Sequence, residues 1–261
     1  MKKVLIDVIF ASEKRKNVLL LLKDGPKETK NVLELLETTR QSLLPQIKVL
    51  EEHHLLSHKN DVCELTKIGK LLVEDMMPLL DTVDVLDTDI EYWGTRKLDF
   101  IPTHLLERID ELDECSLIDP DITNVYNAHQ AYHETCAISK SIFAVTTFLY
   151  PDFHEMYSRL IHDNIKSTII MSPDLYNKLE TDRYSGFKDL MDSNLMHFYL
   201  YSGKIDFMSF GYNDYQFVMS PLTNTGDFDN KHLLFSSPQA REWGKELFEH
   251  YLKDSTPITE I

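Results

Sequence analysis

The sequence predicts an α/β protein, α+β overall, with a winged helix-turn-helix at the N-terminus, a helical linker and an α/β domain filling the rest. Residues 28 to 65 read as two short helices, a turn and a polar hairpin in immediate succession. From Trp93 onward, β-branched and aromatic runs alternate with amphipathic stretches, the pattern of strands and helices that share one sheet. Basic charge gathers at the start of the chain and acidic charge after it. The boundaries these signals suggest are 1–75 for the winged helix, 76–92 for the linker and 93–261 for the α/β domain.

Met1 to Ala11 places Lys2-Lys3 before an apolar run, as a signal sequence would. Asp7 interrupts that run and Glu13-Lys14-Arg15-Lys16 follows at once, so a helix is expected instead. The next helix, Ser12 to Lys23, offers Val18, Leu19, Leu21 and Leu22, and Asp24-Gly25-Pro26 stops it. Thr29 to Leu36 follows with Val32, Leu33, Leu35 and Leu36, and Glu37-Thr38-Thr39 then supplies a turn and N-capping hydroxyls. In the helix after that turn, Leu43, Ile47 and Leu50 recur at i, i+4 and i+7 and face inward. Thr39, Arg40, Gln41, Ser42, Gln46 and Lys48 are left for the other face. Such side chains read base edges or hold phosphates when the N-terminal half of a helix enters the major groove. Pro45 removes a backbone donor and is expected to kink or tighten this helix, at up to about 3 kcal/mol.

A polar helix face is by itself usually just solvated; the continuation favours nucleic acid. Leu55-Leu56 enters a short strand, His58-Lys59-Asn60-Asp61 makes a turn, and Val62 to Leu65 alternates back out. Attached to three helices this hairpin is a wing, with Lys59 and Asn60 at its tip, placed to meet a phosphate or the minor groove. His53-His54 suit the end of a helix, where imidazoles complement the dipole. Thr66 caps a long helix through Ile68, Leu71, Leu72, Met76, Leu79 and Leu80, which passes into the acidic stretch PLLDTVDVLDTDIEY. Its two-sided apolar stripe serves either a homodimer contact or packing against the first helix.

In the third segment, a helix is expected from Ile101-Pro102-Thr103 through Leu112, and a short strand over Ser116 to Asp119. Ser141 to Leu149 and Lys166 to Met171 read as buried strands, with an amphipathic helix over Asp152 to Asn164 between them. Ser172-Pro173 and Ser237-Pro238 are an N-cap followed by proline at the first helical position. Further strands are expected over Leu195 to Tyr201, Ile205 to Gly211 and Tyr215 to Leu222. The last helix turns Ala240, Trp243, Leu247 and Tyr251 inward.

The composition, 43% apolar with few Gly and Pro, is that of a globular protein, and no apolar run approaches the roughly 18 to 20 residues of a membrane span. Cys63, Cys115 and Cys136 have no paired spacing and read as reduced thiols of a cytoplasmic protein. A net charge of −16 argues against nucleic acid until its distribution is seen. Residues 1 to 70 hold 13 Lys plus Arg against 10 Asp plus Glu, a net of +3; residues 71 to 261 hold 14 against 33, a net of −19. Any face for nucleic acid is confined to the first quarter of the chain.

Two stretches resemble known regulators. TRQSLLPQIKVLEEHHLL is similar to the helix-turn-helix of archaeal regulators related to the arsenic-repressor winged helices. Tyr92-Trp93-Gly94-Thr95-Arg96 through Ile101-Pro102 and Leu105 resembles the start of the middle domain of the methanogenesis regulatory proteins first named for filament formation in methanogens. Ile142-Phe143 to Pro151, Gly226-Asp227-Phe228-Asp229 and Ala240-Arg241-Glu242-Trp243-Gly244 with Leu247-Phe248 fit in order and spacing. The resemblance implies an archaeal transcriptional regulator of genes in or near methane metabolism, with an α/β effector domain resembling phospholipase D-like sensor domains. Fold alone gives no chemistry. Family members often carry a basic or imidazole side chain shortly after the tryptophan; Arg96 holds that place here.

Catalysis and metal binding are disfavoured on spacing. A phospholipase D-like site needs a histidine and a lysine two positions on, whereas His58-Lys59 are adjacent and His162 and Lys166 are four apart. His129 and His133 would share a helix face, but Gln130 stands where a zinc protease has its glutamate, and no third ligand is evident. An effector pocket is the better use of the second domain. Tyr126, Tyr132, His133, Tyr199, Tyr201, Tyr212 and Tyr215 give it an aromatic-polar composition, and Arg96 is the anion partner an acidic domain would supply. The expected effector set is Arg96, Tyr126, His133 and Tyr199.

The expectation is therefore a cytoplasmic, homodimeric, sequence-specific transcriptional regulator that binds double-stranded DNA and responds to a small-molecule effector, without enzymatic activity, cofactor, metal or membrane. One alternative is a phosphodiesterase-like or metal-dependent enzyme whose winged helix is a protein-interaction module. Another is a regulator controlled by a partner protein through its acidic domain.

Overall fold

A computed structural model of the chain describes residues 4–120, 130–149, 152–182 and 185–259. It divides into two compact units, Met1–Leu80 and Asp81–Ile261. No helix among the described residues is long and apolar enough to cross a membrane.

The first unit runs α1 (Leu5–Phe10), α2 (Glu13–Leu21), β1 (Lys27–Glu28), α3 (Thr29–Leu35), α4 (Arg40–Glu52), β2 (Leu56–Lys59), β3 (Val62–Leu65) and the start of α5 (Lys67–Asp87), whose residues from Asp81 belong to the second unit. Val18, Leu19 and Leu22 meet Val32 and the Leu43, Ile47 and Leu50 stripe of α4 in one buried cluster. The strands form an antiparallel sheet in the order β1-β3-β2. β1 is unforeseen: two residues carry no alternation, and only the free edge of β3 makes them a strand.

Both helices of the helix-turn-helix end alike. Glu37 takes a φ of 46°, so that Glu37 N–H donates to Glu34 O and Thr38 N–H to Leu33 O; His54 takes 60°, with His54 N–H on Glu51 O and Leu55 N–H on Leu50 O. These paired bonds satisfy the last carbonyls of each helix and turn the chain sharply, with a non-glycine residue in the left-handed region. The expected Thr39 hydroxyl cap is not made; its backbone carbonyl instead accepts from Ser42 and Leu43 N–H. Nor does Pro45 break α4, which continues through it to Glu52. Pro45 is exposed, and so is Gln41, whose carbonyl loses its partner to the proline; an orphan on the solvent side can be hydrated.

Lys59 pairs with Val62, so the wing turn is only Asn60-Asp61, tighter than the four residues expected. Both have positive φ, 50° and 63°, as a two-residue type I′ hairpin requires. Thr66 Oγ1 donates to the His54 carbonyl (2.6 Å) and accepts from Gly69 N–H (3.1 Å), starting α5. A Cβ on Gly69 would lie 1.9 Å from the Leu55 carbonyl oxygen, so only glycine allows this approach.

The second unit continues with α6 (Ile90–Gly94), α7 (Thr103–Leu106), β4 (Cys115–Ile118), α8 (Gln130–Cys136), β5 (Ser141–Thr146), α9 (Phe153–His162), β6 (Lys166–Met171), α10 (Pro173–Asp182), α11 (Ser185–Met191), β7 (Met196–Tyr201), β8 (Phe207–Asn213), β9 (Phe217–Pro221), β10 (His232–Phe235), α12 (Pro238–Lys253) and β11 (Ser255–Pro257). The expected helix from Ile101 is in fact the single turn of α7 and a 3₁₀ turn at Ile109–Glu111. Among the described residues the strands form a mixed sheet, β11-β7-β6-β5-β8-β9-β10-β4, in which only β5, β6 and β7 are mutually parallel.

Neighbouring residues on each strand join different clusters. Val145 and Ile170 pack with Phe217, Trp243 and Leu247, while Ala144, Ile169 and Met171 pack with Phe153, Leu179 and Phe187. Because side chains alternate along a strand, α12 covers one face and α9 to α11 the other. Gly244 lets α12 settle on β9, since a Cβ there would meet the Phe217 ring at 2.4 Å. Trp243 Nε1–H donates to Leu105 O (2.9 Å) and the Tyr251 hydroxyl to Phe100 O (2.8 Å), fixing the segment before β4 to α12.

Candidate nucleic-acid interface

The exposed side of α4 carries Gln41, Pro45 and Lys48, one turn apart, with Thr39 and Arg40 at its N-terminus. Lys59 and Asn60 stand exposed at the end of the wing. Lys48 and Lys59 make no ion pair among the described residues, leaving their two ammonium groups uncommitted on α4 and the wing.

Ser42 and Gln46 are placed differently from their neighbours. Both are partly buried and turned toward α2. The Ser42 hydroxyl accepts from the Lys14 ammonium, and Gln46 Oε1 accepts from Arg15 Nη1 (2.8 Å) and the Ser12 hydroxyl (3.4 Å). Arg15 is itself buried and donates to the Val8 and Asp7 carbonyls. These two side chains therefore hold α4 against α2, and the outward set is Gln41, Arg40 and Lys48.

Arg40 is tied to the wing. Its Nη2 donates to Asp61 Oδ1 at 2.6 Å, and both side chains are about half exposed. The Asp61 backbone carbonyl accepts from Thr29 N–H (2.7 Å) and the Thr29 hydroxyl (2.9 Å), and His58 Nε2 lies 2.9 Å from that hydroxyl. A local network thus fixes the wing turn against α3 and the start of α4. Asp61 was expected only to form a turn; the Asn-Asp pair was the one sequence signal that this turn would be tight enough to bring its carboxylate back.

In the second unit Tyr199 lies apart from Arg96 and His133, the other described members of the expected effector set. Arg96 is buried, paired with Asp229 Oδ2 at 2.6 Å and stacked 3.9 Å above the centre of the Tyr92 ring. Burial alone would raise the Asp229 carboxyl; Arg96 and backbone N–H groups more than offset it and hold it below its ordinary value. Desolvation lowers the His133 imidazole, and its near neighbour His232, on β10, is lowered to about 4 by burial. Tyr199 lies on β7, with four strands between it and β10, roughly 24 Å at the usual strand spacing. Tyr126 lies outside the described residues, as does His129. Tyr201 and Tyr212 pack against other rings: Tyr212 stacks on Phe143 (4.7 Å) and Tyr201 tilts on Tyr251 (5.0 Å). No cluster of three or more His, Cys, Asp or Glu side chains among the described residues is arranged to hold a metal. His162 is exposed beside Asp163, and His58 is engaged with Thr29.

A site missed by the sequence reading lies at the carboxyl ends of the parallel strands. A cleft of about 520 Å³ opens between Thr147 after β5, Ser172 and Asp174 at the start of α10, and Lys204 in the loop from β7 to β8, over a floor of Phe207 and Leu222. Open sheets take ligands at such ends, where successive crossovers leave in different directions. No local motif marks it, because three strands must first align.

Fold and site together define a two-part winged-helix protein, with an exposed helix-and-wing face on one unit and a mixed α/β sheet in the other. The chain belongs to the FilR1 family: the N-terminal domain of methanogenesis regulatory protein FilR1 matches residues 3–84 and its middle domain residues 125–254. A curated relative, methanogenesis regulatory protein FilR1 of Methanothrix harundinacea (strain 6Ac), is 21% identical over 270 residues, covering 98% of this chain and 58% of the relative. Among solved structures, TrmBL2, an archaeal chromatin protein with a novel mode of DNA binding, is 12% identical over 94% of each chain with a TM-score of 0.44. Quinone-bound YodB from B. subtilis is 21% identical over 30% of this chain and 91% of its own, at 0.28. Nuc, a phospholipase D family member from Salmonella typhimurium, is 11% identical over 56% of this chain and all of its own, at 0.40.

Proposed function

We propose that the protein is a sequence-specific DNA-binding transcriptional regulator of genes in or near methane metabolism, acting without catalysis. The observation that carries this is the α4 and wing surface: Gln41, Arg40 and Lys48 exposed on one helix, Lys59 and Asn60 exposed on the hairpin beside it, in the basic part of an acidic chain. α4 enters the major groove, where Gln41 reaches base edges; Arg40 at the helix start, Lys48, Lys59 and Asn60 meet the backbone, and Thr39 adds a hydroxyl there. Ser42 and Gln46 contribute by holding the helix in place. The acidic second unit stays away from the duplex.

The regulator works as a homodimer through α5, on which Ile68, Leu71, Leu79 and Val83 stand exposed at helical spacing. Its half-sites then lie about one helical turn, or a multiple, apart. The effector is a small molecule taken into the cleft at the ends of β5, β6 and β7.

Selection of bound fragments from genomic DNA, followed by gel shifts, tests the central claim. With about five phosphates neutralised, raising salt from roughly 50 to 200 mM weakens binding by about 10² to 10³. Gln41→Ala relaxes sequence preference, whereas Lys59→Ala weakens all sequences alike. Binding that ignores both salt and these substitutions would remove the proposal.

A further inference from the structure

The Arg40–Asp61 pair sets a carboxylate inside the face proposed to meet DNA. Asp61 follows Lys59 and Asn60 at the wing tip and reaches the first residue of α4, where free backbone N–H groups and the helix dipole favour an anion. Its backbone is fixed by Thr29, so the carboxylate cannot drift away with the loop. Its contacts are the 2.6 Å bond to Arg40 and a 3.8 Å approach from His58. A DNA phosphate carries the same negative charge and is bound by the same kind of guanidinium fork.

We infer that Asp61 is an internal competitor for phosphate: in the free protein it occupies Arg40, and on binding DNA a phosphate oxygen takes its place. The inference rests on the proposed DNA-binding function and adds a residue that lowers affinity. The pair is suited to exchange because exposed ion pairs are held weakly in water and are screened by salt. The carboxylate left behind then faces the duplex and repels it equally for every sequence. A regulator gains from this, because the same penalty at every site frees it from the many non-specific sites, whose binding is almost wholly electrostatic, while base contacts keep the specific site occupied.

The test uses the full chain with random-sequence duplexes of about 30 base pairs and with the duplex enriched from that pool. Asp61→Asn keeps the shape of the side chain, tolerates the left-handed turn and leaves the carbonyl that binds Thr29. It should tighten binding to both probes by about three- to tenfold and steepen the log–log salt slope by up to about 0.9, because the face that meets the phosphates carries one negative charge fewer. Arg40→Ala should then cost more in the Asp61→Asn background than in the wild type, since only there is the guanidinium unoccupied. Unchanged thermal unfolding of Asp61→Asn confirms that the wing is intact.

If Asp61→Asn weakens binding to the enriched duplex and spares the random pool, Asp61 is buttressing a base-reading arginine and the inference is overturned. Unaltered affinity for both probes overturns it as well, while salt-sensitive binding that responds to Lys59→Ala would leave DNA recognition standing. If neither wild type nor variant binds any duplex at low salt, the DNA reading fails and this inference with it.

Discussion

Arg40 with Asp61 in the first unit and Arg96 with Asp229 in the second each meet at 2.6 Å. The first pair stands about half in solvent at the end of a hairpin, while the second arginine is only 4% exposed beneath a tyrosine ring. Equal length conceals unequal roles. An exposed pair contributes about 0 to 1 kcal/mol and can change partners, whereas a buried guanidinium has lost its water and depends on the partner it has. The units differ in the same direction. The first buries Arg15 and Thr29 but keeps Gln41, Lys48, Lys59 and Asn60 outward on α4 and the wing; the second buries arginine, histidine, asparagine and several serines within its fold. Function is sought at the surface of one unit and, in the other, in the cleft that its sheet leaves open.

Substitutions can break this contrast, and the largest effect is expected in the second unit. Arg96→Ala strands Asp229 and removes the Tyr92 stacking, and should destabilise that unit by roughly 3 kcal/mol in urea unfolding; a change below about 1 kcal/mol would place the pair with the exposed kind. Acid should act nearly as strongly. With the His232 imidazole lowered to about 4 by burial, the unfolded chain holds a proton that the folded chain refuses between there and about pH 6.5. Stability is whole above that range and falls by about 3 kcal/mol as the pH drops through it. His232→Gln should remove this component from the pH profile of unfolding.

Arg40→Ala sharpens the contrast from the other side. It should change folding stability by less than about 1 kcal/mol, while altering DNA affinity in the gel shift. The smallest expected effect is at the turn between α3 and α4. Glu37→Gly relieves a side chain at φ 46° and should raise the thermal midpoint slightly, by about 0.5 to 1 kcal/mol of stability.

Much of this fold was legible wherever neighbours along the chain decide the structure. The Leu43, Ile47 and Leu50 stripe is buried as its spacing required. Ser172-Pro173 and Ser237-Pro238 open α10 and α12, each serine hydroxyl accepting a backbone N–H three residues on. Lys166–Met171 forms a strand with the bounds its residues suggested. β1 and β11 escaped notice because two or three residues show no alternation, and each becomes a strand only through the edge it pairs with; β10 escaped because all four of its residues are buried between β9 and β4 and so do not alternate. The interface was partly legible for the same reason. Gln41 and Lys48 stand outward by helical period alone, but Ser42 and Gln46 turn inward because α2 brings Lys14 and Arg15 to them.

The sequence by itself determined the order of helices and hairpin, the confinement of positive charge to the first quarter of the chain, and the family to which the chain belongs. Those properties depend on composition and on spacings shorter than one element. Only the tertiary structure decided which arginine is buried with its partner and which is paired in solvent, because a side chain's partner may lie 21 residues away, as for Arg40, or 133, as for Arg96. Burial, which sets the strength of each pair, exists only once distant segments have closed around it.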